Sequence, residues 1–330
     1  MARLQTDSRR GVRCQAIPSP RRVSVSGTIC YLYRMADSGI VGHRPTEIEI
    51  AAARVLFEPW RLLTAPLFYG VDRIPRDRPF LLVGNHTLMG VLDVPLMLLG
   101  LHERTGIVVR ALGDHLHFQV PLWRDVLTRF GTVDGTRENC EALMRAGEPI
   151  LIFPGGAREV FKHKGEQYHL IWKNRTGFAA LAIAHSYPIV PFAAVGAEEC
   201  YDILVDSDEL RQSALGPVLE RLIPRADELP PVVNGVGLLP RPQRFYFRFE
   251  TPIETAPWTG RSADQDACLA LRAEVARAIE HAIAALRHTQ SRDPEGALTV
   301  RLMRQLAGKT PGSRRLGAAA RTPRRRKGSG

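Results

Sequence analysis

The stretch LLVGNHTLMGVLDVPLM, residues 81–97, decides how the middle of this chain folds. It is apolar except for a few polar side chains, above all Asn85, His86 and Asp93. Residues 81–101 contain no Lys, Arg or Glu, so their length alone would allow a transmembrane helix. A carboxylate near the bilayer centre, however, costs about 3 kcal/mol even on lenient insertion scales. We therefore predict a buried strand, a polar turn and then a helix.

The net charge of the chain lies at its two ends. The chain has 330 residues, 45% of them hydrophobic, and a formal charge of +11. Residues 1–34 carry +6 and residues 301–330 carry +10, which leaves −5 for residues 35–300. This pattern predicts one domain over 35–300 between two basic disordered tails. The first tail lacks the apolar core of a signal peptide, and Met35 is an alternative start of the chain.

The tails and the cysteines indicate few further partners. Basic tails attract nucleic acid or anionic lipid, but solvated tails are the plainer interpretation, and we expect no specific nucleic-acid ligand. The five cysteines are odd in number and widely spaced, without a C-x-x-C pair. They predict neither a zinc site nor a disulfide framework, and a reducing cytosolic environment is the simplest interpretation.

Strand and helix patterns alternate along most of the chain, which is typical of an α/β domain. The patterns predict a mostly parallel or mixed sheet flanked by helices. Strands are predicted at 79–84, 106–112, 148–153, 187–196 and 244–253, and helices at 94–104, 136–147 and 176–186. A long amphipathic helix near the C-terminus has a core stripe of Leu271, Val275, Ile279, Ile283 and Leu286.

The segment 47–74 begins with a helical pattern that we expect two prolines, Pro59 and Pro66, to break into short pieces. Its aromatic and aliphatic side chains suit either of two environments. The segment packs on the domain core, or it lies in the interface of a bilayer. The sequence leaves both interpretations open.

Four short motifs follow one another between residues 80 and 200. They are Asn85-His86, FGTVDGTREN (130–139), ILIFPGGAREVF (150–161) and PIVPFAAVGAEE (188–199). Together they resemble the four sequence blocks of the phospholipid/glycerol acyltransferase superfamily. The third block, with Pro-Gly-Gly-Ala in place of Phe-Pro-Glu-Gly-Thr-Arg, is similar to the branch of monoacylglycerol and diacylglycerol acyltransferases and phytyl-ester synthases.

The resemblance implies an enzyme that transfers an acyl group, other than an aminoacyl group, from acyl-CoA to a lipid alcohol. Acyl-CoA would be a co-substrate, and no bound cofactor or metal is expected. His86 is the implied general base, because an imidazole takes up a proton near neutral pH. Backbone N–H groups after His86, or in the Gly155-Gly156 turn, are the candidates for stabilising the oxyanion.

The family pattern places an aspartate five residues after the histidine, but here the aspartate, Asp93, comes seven residues after it. Two interpretations stay open. In the first, a longer turn still lets Asp93 orient His86. In the second, Asp93 caps the helix that begins at residue 94.

The remaining motif residues are implied to contact substrate. They are Asn85, Gly131, Arg137, Pro154, Gly155, Gly156, Ala157 and Arg158. Gly155 stands where the phosphatidate-making branch has a glutamate, which favours a diacylglycerol-like or other long-chain alcohol over glycerol phosphate. An acceptor such as lysophosphatidate is the alternative within this class, with Arg137 and Arg158 holding its phosphate or that of CoA. Glu159 either replaces the missing carboxylate or pairs with an arginine.

Other hypotheses remain open at this stage. His115 and His117 have an H-x-H spacing, but no partner cluster supports a metal site. A non-catalytic lipid-binding or membrane-adaptor protein is a second hypothesis, and a nucleic-acid binder acting through its tails is a third. The leading hypothesis places the protein in the cytoplasm, peripherally associated with a membrane surface.

Overall fold

The computed structural model describes residues 42–88, 90–214, 216–222, 229–237 and 239–306. The strands are β1 (Leu67–Tyr69), β2 (Leu81–Gly84), β3 (Arg110–Gly113), β4 (Val133–Asp134), β5 (Ile150–Ile152), β6 (Ile189–Val195), β7 (Asp202–Val205), β8 (Val232–Asn234) and β9 (Tyr246–Phe249). The helices are α1 (Glu47–Thr64), α2 (Val94–Thr105), α3 (His115–Gln119), α4 (Pro121–Arg129), α5 (Arg137–Arg145), α6 (Ala157–Val160), α7 (Gly177–His185), α8 (Ser207–Gln212), α9 (Gly216–Leu222), α10 (Gln265–Ser291) and α11 (Leu298–Leu306). Short 3₁₀ turns lie at Val71–Arg73, Glu198–Cys200 and Ala256–Trp258.

Seven of these strands form one sheet in the order β1-β9-β6-β2-β5-β3-β4. The five strands from β6 to β4 run parallel, whereas β9 pairs antiparallel with β6, and β1 runs parallel to β9. The two remaining strands, β7 and β8, form a separate antiparallel pair. The sheet is therefore mixed and mainly parallel, as the sequence predicted.

Helices cover both faces of the sheet because alternate residues of the central strands point to opposite faces. Leu81 and Val83 of β2 join the core beneath α5, α7 and α10, while Leu82 joins the core beneath α1 and α2. The five stripe residues predicted for α10 are all buried in the first of these cores.

Residues 81–97 form a strand, a turn and a helix, so the transmembrane interpretation is excluded for this stretch. The strand β2 is buried along its whole length and lies at the centre of the sheet. The helix α2 begins at Val94 with Pro95 in its first turn. Among the residues that the structure describes, no helix is long and apolar enough to cross a membrane.

The expectation that Pro59 breaks the first helix is wrong. The helix α1 runs for 18 residues through Pro59, and a capping box between Thr46 and Glu49 fixes its start. Pro59 lacks the N–H that would bond the Val55 carbonyl, but both residues lie on the exposed face, where water can satisfy that carbonyl. The helix ends at Thr64, and Ala65 adopts a left-handed conformation just ahead of Pro66.

The predicted C-terminal tail begins too early at residue 301. Residues 301–306 lie in α11, and the buried Arg301 side chain donates to the carbonyl oxygens of Leu63 and Pro242. These bonds tie the last described helix to the end of α1 and to the segment before β9. The predicted tail at 1–34, and residues 307–330, lie outside the described residues.

Candidate active site

Three neighbouring parallel strands, β5, β2 and β6, end at the same edge of the sheet. Asn85 and His86 follow β2, Phe153 and Pro154 follow β5, and Glu198 comes three residues after β6. Ligand sites of open parallel sheets form at this carboxyl edge, because the loops that follow neighbouring strands meet there. The edge therefore brings the first, third and fourth sequence motifs together.

Asn85 fixes the turn after β2 to the adjacent strand. Its side-chain amide donates to the Ala194 carbonyl oxygen at 3.0 Å, and its side-chain oxygen accepts from the Ala194 N–H at 2.9 Å. The residue is buried. These two bonds hold the start of the turn against β6.

The His86 side chain lies against the third motif. Its ring stacks on the Phe153 ring, with 4.0 Å between centroids and 26° between planes. The Nδ1 atom is buried and has no hydrogen-bond partner in the described part of the chain, although the residue as a whole keeps partial exposure. Burial, followed by the charges of Lys162 and His117, lowers the pKa of His86 to about 3. The imidazole is therefore neutral at physiological pH.

Gly90 closes the turn on the other side of the ring. It has a φ of +55°, and a Cβ atom at this position would lie 2.1 Å from Cε1 of His86. Only glycine permits both this backbone conformation and this close approach. The turn is thus shaped around the histidine ring.

Asp93 follows neither of the two interpretations made from the sequence. Its Oδ1 atom accepts from the Thr87 hydroxyl at 2.9 Å, while His86 Nδ1 has no bond to any described residue. Asp93 occupies the N-cap position of α2, but its side chain makes no capping hydrogen bond. Burial raises the pKa of this carboxyl to about 6, against the lowering effect of the Thr87 hydroxyl. Asp93 therefore closes the turn through Thr87 and does not orient the imidazole.

The start of the loop from Pro154 to Arg158 is held by Arg175. Arg175 donates from Nη1 to the carbonyl oxygens of Pro154 and Gly155, at 3.0 and 2.5 Å. The Gly156 N–H donates to the Phe153 carbonyl oxygen, so it is already engaged and cannot serve as the predicted oxyanion donor. Ala157 begins the short helix α6.

The two arginines predicted to bind a phosphate both pair with carboxylates. Arg158 contacts Glu166 at 2.6 Å and Arg137 contacts Glu141 at 3.0 Å. Gly131, from the same motif as Arg137, has a φ of +82°, and its carbonyl oxygen accepts from the buried Arg110. Arg137 thus pairs with a carboxylate of its own helix, α5, and Gly131 follows the end of α4.

A buried ion pair that the sequence analysis missed lies beside the His86 backbone. Lys162 donates to the His86 carbonyl oxygen at 2.6 Å and pairs with Glu198 at 2.5 Å. No spacing pattern marks Lys162, which lies on the loop after α6. Glu198 had a usable signal, because it is the first acidic residue after a buried strand whose carboxyl end meets β2.

Glu159, whose role the sequence left open, is fully buried and pairs with no arginine among the described residues. Its carboxylate accepts from the His86 N–H at 3.3 Å and from the Ile171 N–H at 2.8 Å. Burial raises the pKa of Glu159 to about 7. The side chain fills the space beside Gly155, where a Cβ atom would lie 2.1 Å from Glu159 Cγ.

The rival histidines do not form a metal site. His115 pairs with Asp134 at 2.9 Å, and His117 Nδ1 accepts from the Trp123 indole N–H at 3.1 Å. No group of three or more potential metal ligands occurs within the described ranges. His117 nevertheless lies near enough to His86 for its charge to lower the pKa of that residue.

Residues 66–195 match the sequence family Acyltransferase. The chain is 29% identical over 256 residues to phytyl ester synthase 2, chloroplastic, of Arabidopsis thaliana, an alignment that covers 71% of this chain and 36% of that protein. It is 32% identical over 123 residues to the human DGAT1/2-independent enzyme synthesizing storage lipids, covering 37% of each chain. The chain thus spans little more than a third of the length of these relatives.

Among solved structures, the chain is similar to the 1-acyl-sn-glycerophosphate acyltransferase PlsC of Thermotoga maritima. The two share 14% sequence identity with a TM-score of 0.44, over 71% of this chain and 79% of that one.

Proposed function

Residues 66–195 of this chain belong to the Acyltransferase family, and from this premise we propose that the protein transfers an acyl group from acyl-CoA to a lipid alcohol. His86 is the proposed general base. The observation that carries this proposal is the position of His86. It is a neutral histidine at the carboxyl end of the central parallel strand, stacked on the first residue of the third motif.

The proposed chemistry needs one proton carrier and no bound cofactor. A ring nitrogen of His86 takes the proton of the alcohol as the alcohol oxygen attacks the thioester carbonyl carbon. The new C–O bond forms, the C–S bond breaks, and CoA leaves as a thiolate. The imidazolium then returns the proton to the thiolate. Because Nδ1 is enclosed, Nε2 is the nitrogen assigned to this exchange. The low pKa makes the imidazole a weak base before the attack and the imidazolium a strong proton donor after it.

The contacts of the two motif arginines favour a neutral acceptor. Arg158 and Arg137, the candidates for holding a phosphate, are neutralised by Glu166 and Glu141. The site of the missing glutamate is filled by the buried Glu159, which bonds backbone N–H groups. A long-chain alcohol or diacylglycerol needs no cationic partner, so this class leads and lysophosphatidate is the alternative acceptor.

Peripheral membrane association on the cytoplasmic side is part of the same proposal. Helix α1 buries Ile50 and Ala53 against the domain, while its outward face exposes Ile48, Val55, Leu56 and Leu62. An apolar stripe of this kind on a surface helix suits the interface of a bilayer, where the lipid acceptor resides.

A flotation experiment tests the membrane part of the proposal. Val55→Glu should reduce binding to vesicles of phosphatidylcholine and phosphatidylglycerol. Leu204→Glu, which changes an exposed residue on β7, should not. Equal flotation of wild type and Val55→Glu would exclude α1 as the membrane-binding face.

Acyl transfer itself is tested with the purified full chain, labelled acyl-CoA and a panel of diacylglycerol, long-chain alcohols and lysophosphatidate, read by mass spectrometry. We expect esters of the neutral alcohols. His86→Ala should lower the rate by about 10²–10⁴, whereas His281→Ala, at an exposed position on α10, should not change it. An unchanged rate in His86→Ala would disprove the assigned base.

One observation favours a second candidate function, a non-catalytic lipid-binding or membrane-adaptor protein. The imidazole of His86 lacks the carboxylate partner that the family pattern provides. Tight lipid binding without turnover on the whole panel would support this alternative over the acyltransferase.

A further inference from the structure

The backbone of His86 is held on both sides by buried charged side chains. Glu159 accepts from its N–H and Lys162 donates to its carbonyl oxygen. Both side chains come from the segment that follows β5. The loop of the third motif and the next turn therefore hold His86, which lies just after β2.

The Glu159 contact is built into the fold. The side chain is fully buried, and its second oxygen accepts from the Ile171 N–H at 2.8 Å. The absence of a side chain at Gly155 creates the space that Glu159 occupies. Glycine at position 155 is therefore required by the position of this carboxylate.

The Lys162 contact is equally enclosed. The ammonium group pairs with Glu198 at 2.5 Å, and Lys162 is 1% exposed. The other oxygen of Glu198 accepts from the Tyr168 N–H at 2.9 Å. The Lys162–Glu198 ion pair therefore holds a fixed position, because separating its members would leave each charge buried without a partner.

The ring of His86 has no comparable fixation of its own. Its Nδ1 lacks a hydrogen-bond partner within the described ranges, and its orientation rests on stacking against Phe153 and on the backbone. We propose that Glu159 and Lys162 are positioning residues, which fix the imidazole through its backbone in place of the carboxylate that orients it in the family pattern. This inference rests on the proposed function for its kinetic part.

Three variants test the proposal in the full chain. Lys162→Met removes the charge and its bond to His86, Lys162→Arg keeps the charge, and Glu159→Gln keeps the shape but places an amide donor where two acceptors are needed. Lys164→Met is the matched control. It removes a lysine of the same loop whose partner, Glu209, lies on the exposed surface.

Two readouts are compared, steady-state kinetics and the ring resonances of isotope-labelled histidine, assigned with His86→Gln. A misplaced base lowers kcat, so we expect Lys162→Met and Glu159→Gln to lose about 10- to 100-fold in kcat with the KM for acyl-CoA unchanged. Lys162→Arg should recover part of the loss. The His86 resonance should move in Lys162→Met and Glu159→Gln and stay in place in Lys164→Met.

The proposal is overturned if Glu159→Gln, the variant most certain to fold, keeps both the wild-type kcat and the wild-type His86 resonance, or if a folded Lys162→Met does. It is also overturned if Lys164→Met lowers kcat as much as Lys162→Met does. The resonances decide the question even when the wild type shows no acyl transfer, so failure of the proposed function is distinguishable from failure of the positioning role.

Discussion

Two clusters of buried and part-buried polar residues in the described part of the chain differ in how their members are bonded. The His86 cluster consists of His86, Asp93, Glu159, Lys162 and Glu198. The Arg244 cluster consists of Arg244, Tyr246, Asp293, Glu295 and Arg301. In the second cluster, Arg244 pairs with both carboxylates, Tyr246 donates to Asp293, and Arg301 donates to four carbonyl oxygens.

The Arg244 cluster balances its charges, whereas the His86 cluster does not. In the latter, burial raises the pKa of Asp93 to about 6 and that of Glu159 to about 7, and lowers the pKa of His86 to about 3. Each cluster has one nitrogen without a partner in the described chain, Arg301 Nε and His86 Nδ1. Of these two groups, only the imidazole exchanges a proton readily. The His86 cluster therefore belongs to the candidate site, whereas the Arg244 cluster joins the last described helix to the sheet.

The largest expected effect comes from breaking the Arg244 cluster. Arg244→Met removes a buried cation from the part-buried Asp293 and Glu295, of which Glu295 keeps Arg304, so the free energy of unfolding should fall by about 3 kcal/mol. Acyl transfer per folded molecule should persist, because the cluster does not contact His86. Urea denaturation checks this, with Arg78→Met as the control for an exposed pair, Arg78–Glu254. A loss below about 1 kcal/mol would show that the cluster is no more important than a surface pair.

The next effect concerns the shape of the turn around His86. In Gly90→Ala, the new methyl group meets the imidazole and the backbone must hold a positive φ, so the ring is displaced. We expect kcat to fall by about 10². Gly106→Ala is the control, since Gly106 has the same backbone conformation with open space around it. Equal activities of the two variants would mean that the ring position does not limit the rate.

A smaller effect is expected from Asp93→Asn. The amide oxygen of asparagine still accepts from the Thr87 hydroxyl, and no bond to His86 exists to be lost. The change weakens at most one hydrogen bond, that from Thr87, so kcat should fall by no more than about tenfold. An aspartate that orients a catalytic histidine is worth about 10⁴ in kcat. A loss of that larger size would restore Asp93 as the orienter of His86.

The smallest effect is a pH dependence of stability. The pKa of His86 lies below its ordinary value of 6.5. As the pH falls below 6.5, the unfolded chain takes up a proton that the folded chain does not bind, so His86 lowers the stability of the folded state at acid pH. Asp93 and Glu159 act in the opposite direction, because their raised pKa values favour the folded state at low pH and lose that effect as the pH rises through about 6 and about 7.

His86→Phe isolates the histidine contribution. The free energy of unfolding of His86→Phe should rise relative to that of the wild type as the pH is lowered from 6.5 towards 5, because phenylalanine takes up no proton in either state. Urea denaturation at several pH values measures this difference, and His281→Phe, at an exposed position, should show none. A difference that does not vary with pH would contradict the lowered pKa of His86.

Local sequence patterns were enough to predict the framework of the site. The run from Leu81 to Gly84 is uniformly apolar because both faces of a central parallel strand are buried, and the polar turn follows where the strand leaves the core. Thr136 caps α5, and Gly147, with a φ of +73°, follows its end, as expected from their residue types. Hydrophobic periodicity and caps are local properties, so they can be seen in the sequence.

The partners of charged side chains could not be predicted in this way. Arg158 was expected at a substrate and pairs with Glu166, and Asp93 was expected at His86 or at a cap and bonds Thr87. Lys162 and His86 are 76 residues apart in the chain, and only the packing of adjacent loops brings them together. A motif records residue types at fixed spacing, whereas a hydrogen bond depends on where the backbone carries each atom.

The sequence by itself determined the strand, turn and helix of residues 81–97, the mainly parallel sheet and the acyltransferase-like motifs between residues 80 and 200. Burial and backbone preference act within a few residues, which is why those features could be read locally. The tertiary structure alone decided what surrounds His86: a phenylalanine ring, a glycine turn, and the charges of Glu159 and Lys162 on its backbone. Three strands distant in sequence end at one edge, and only that geometry sets the chemistry of the histidine.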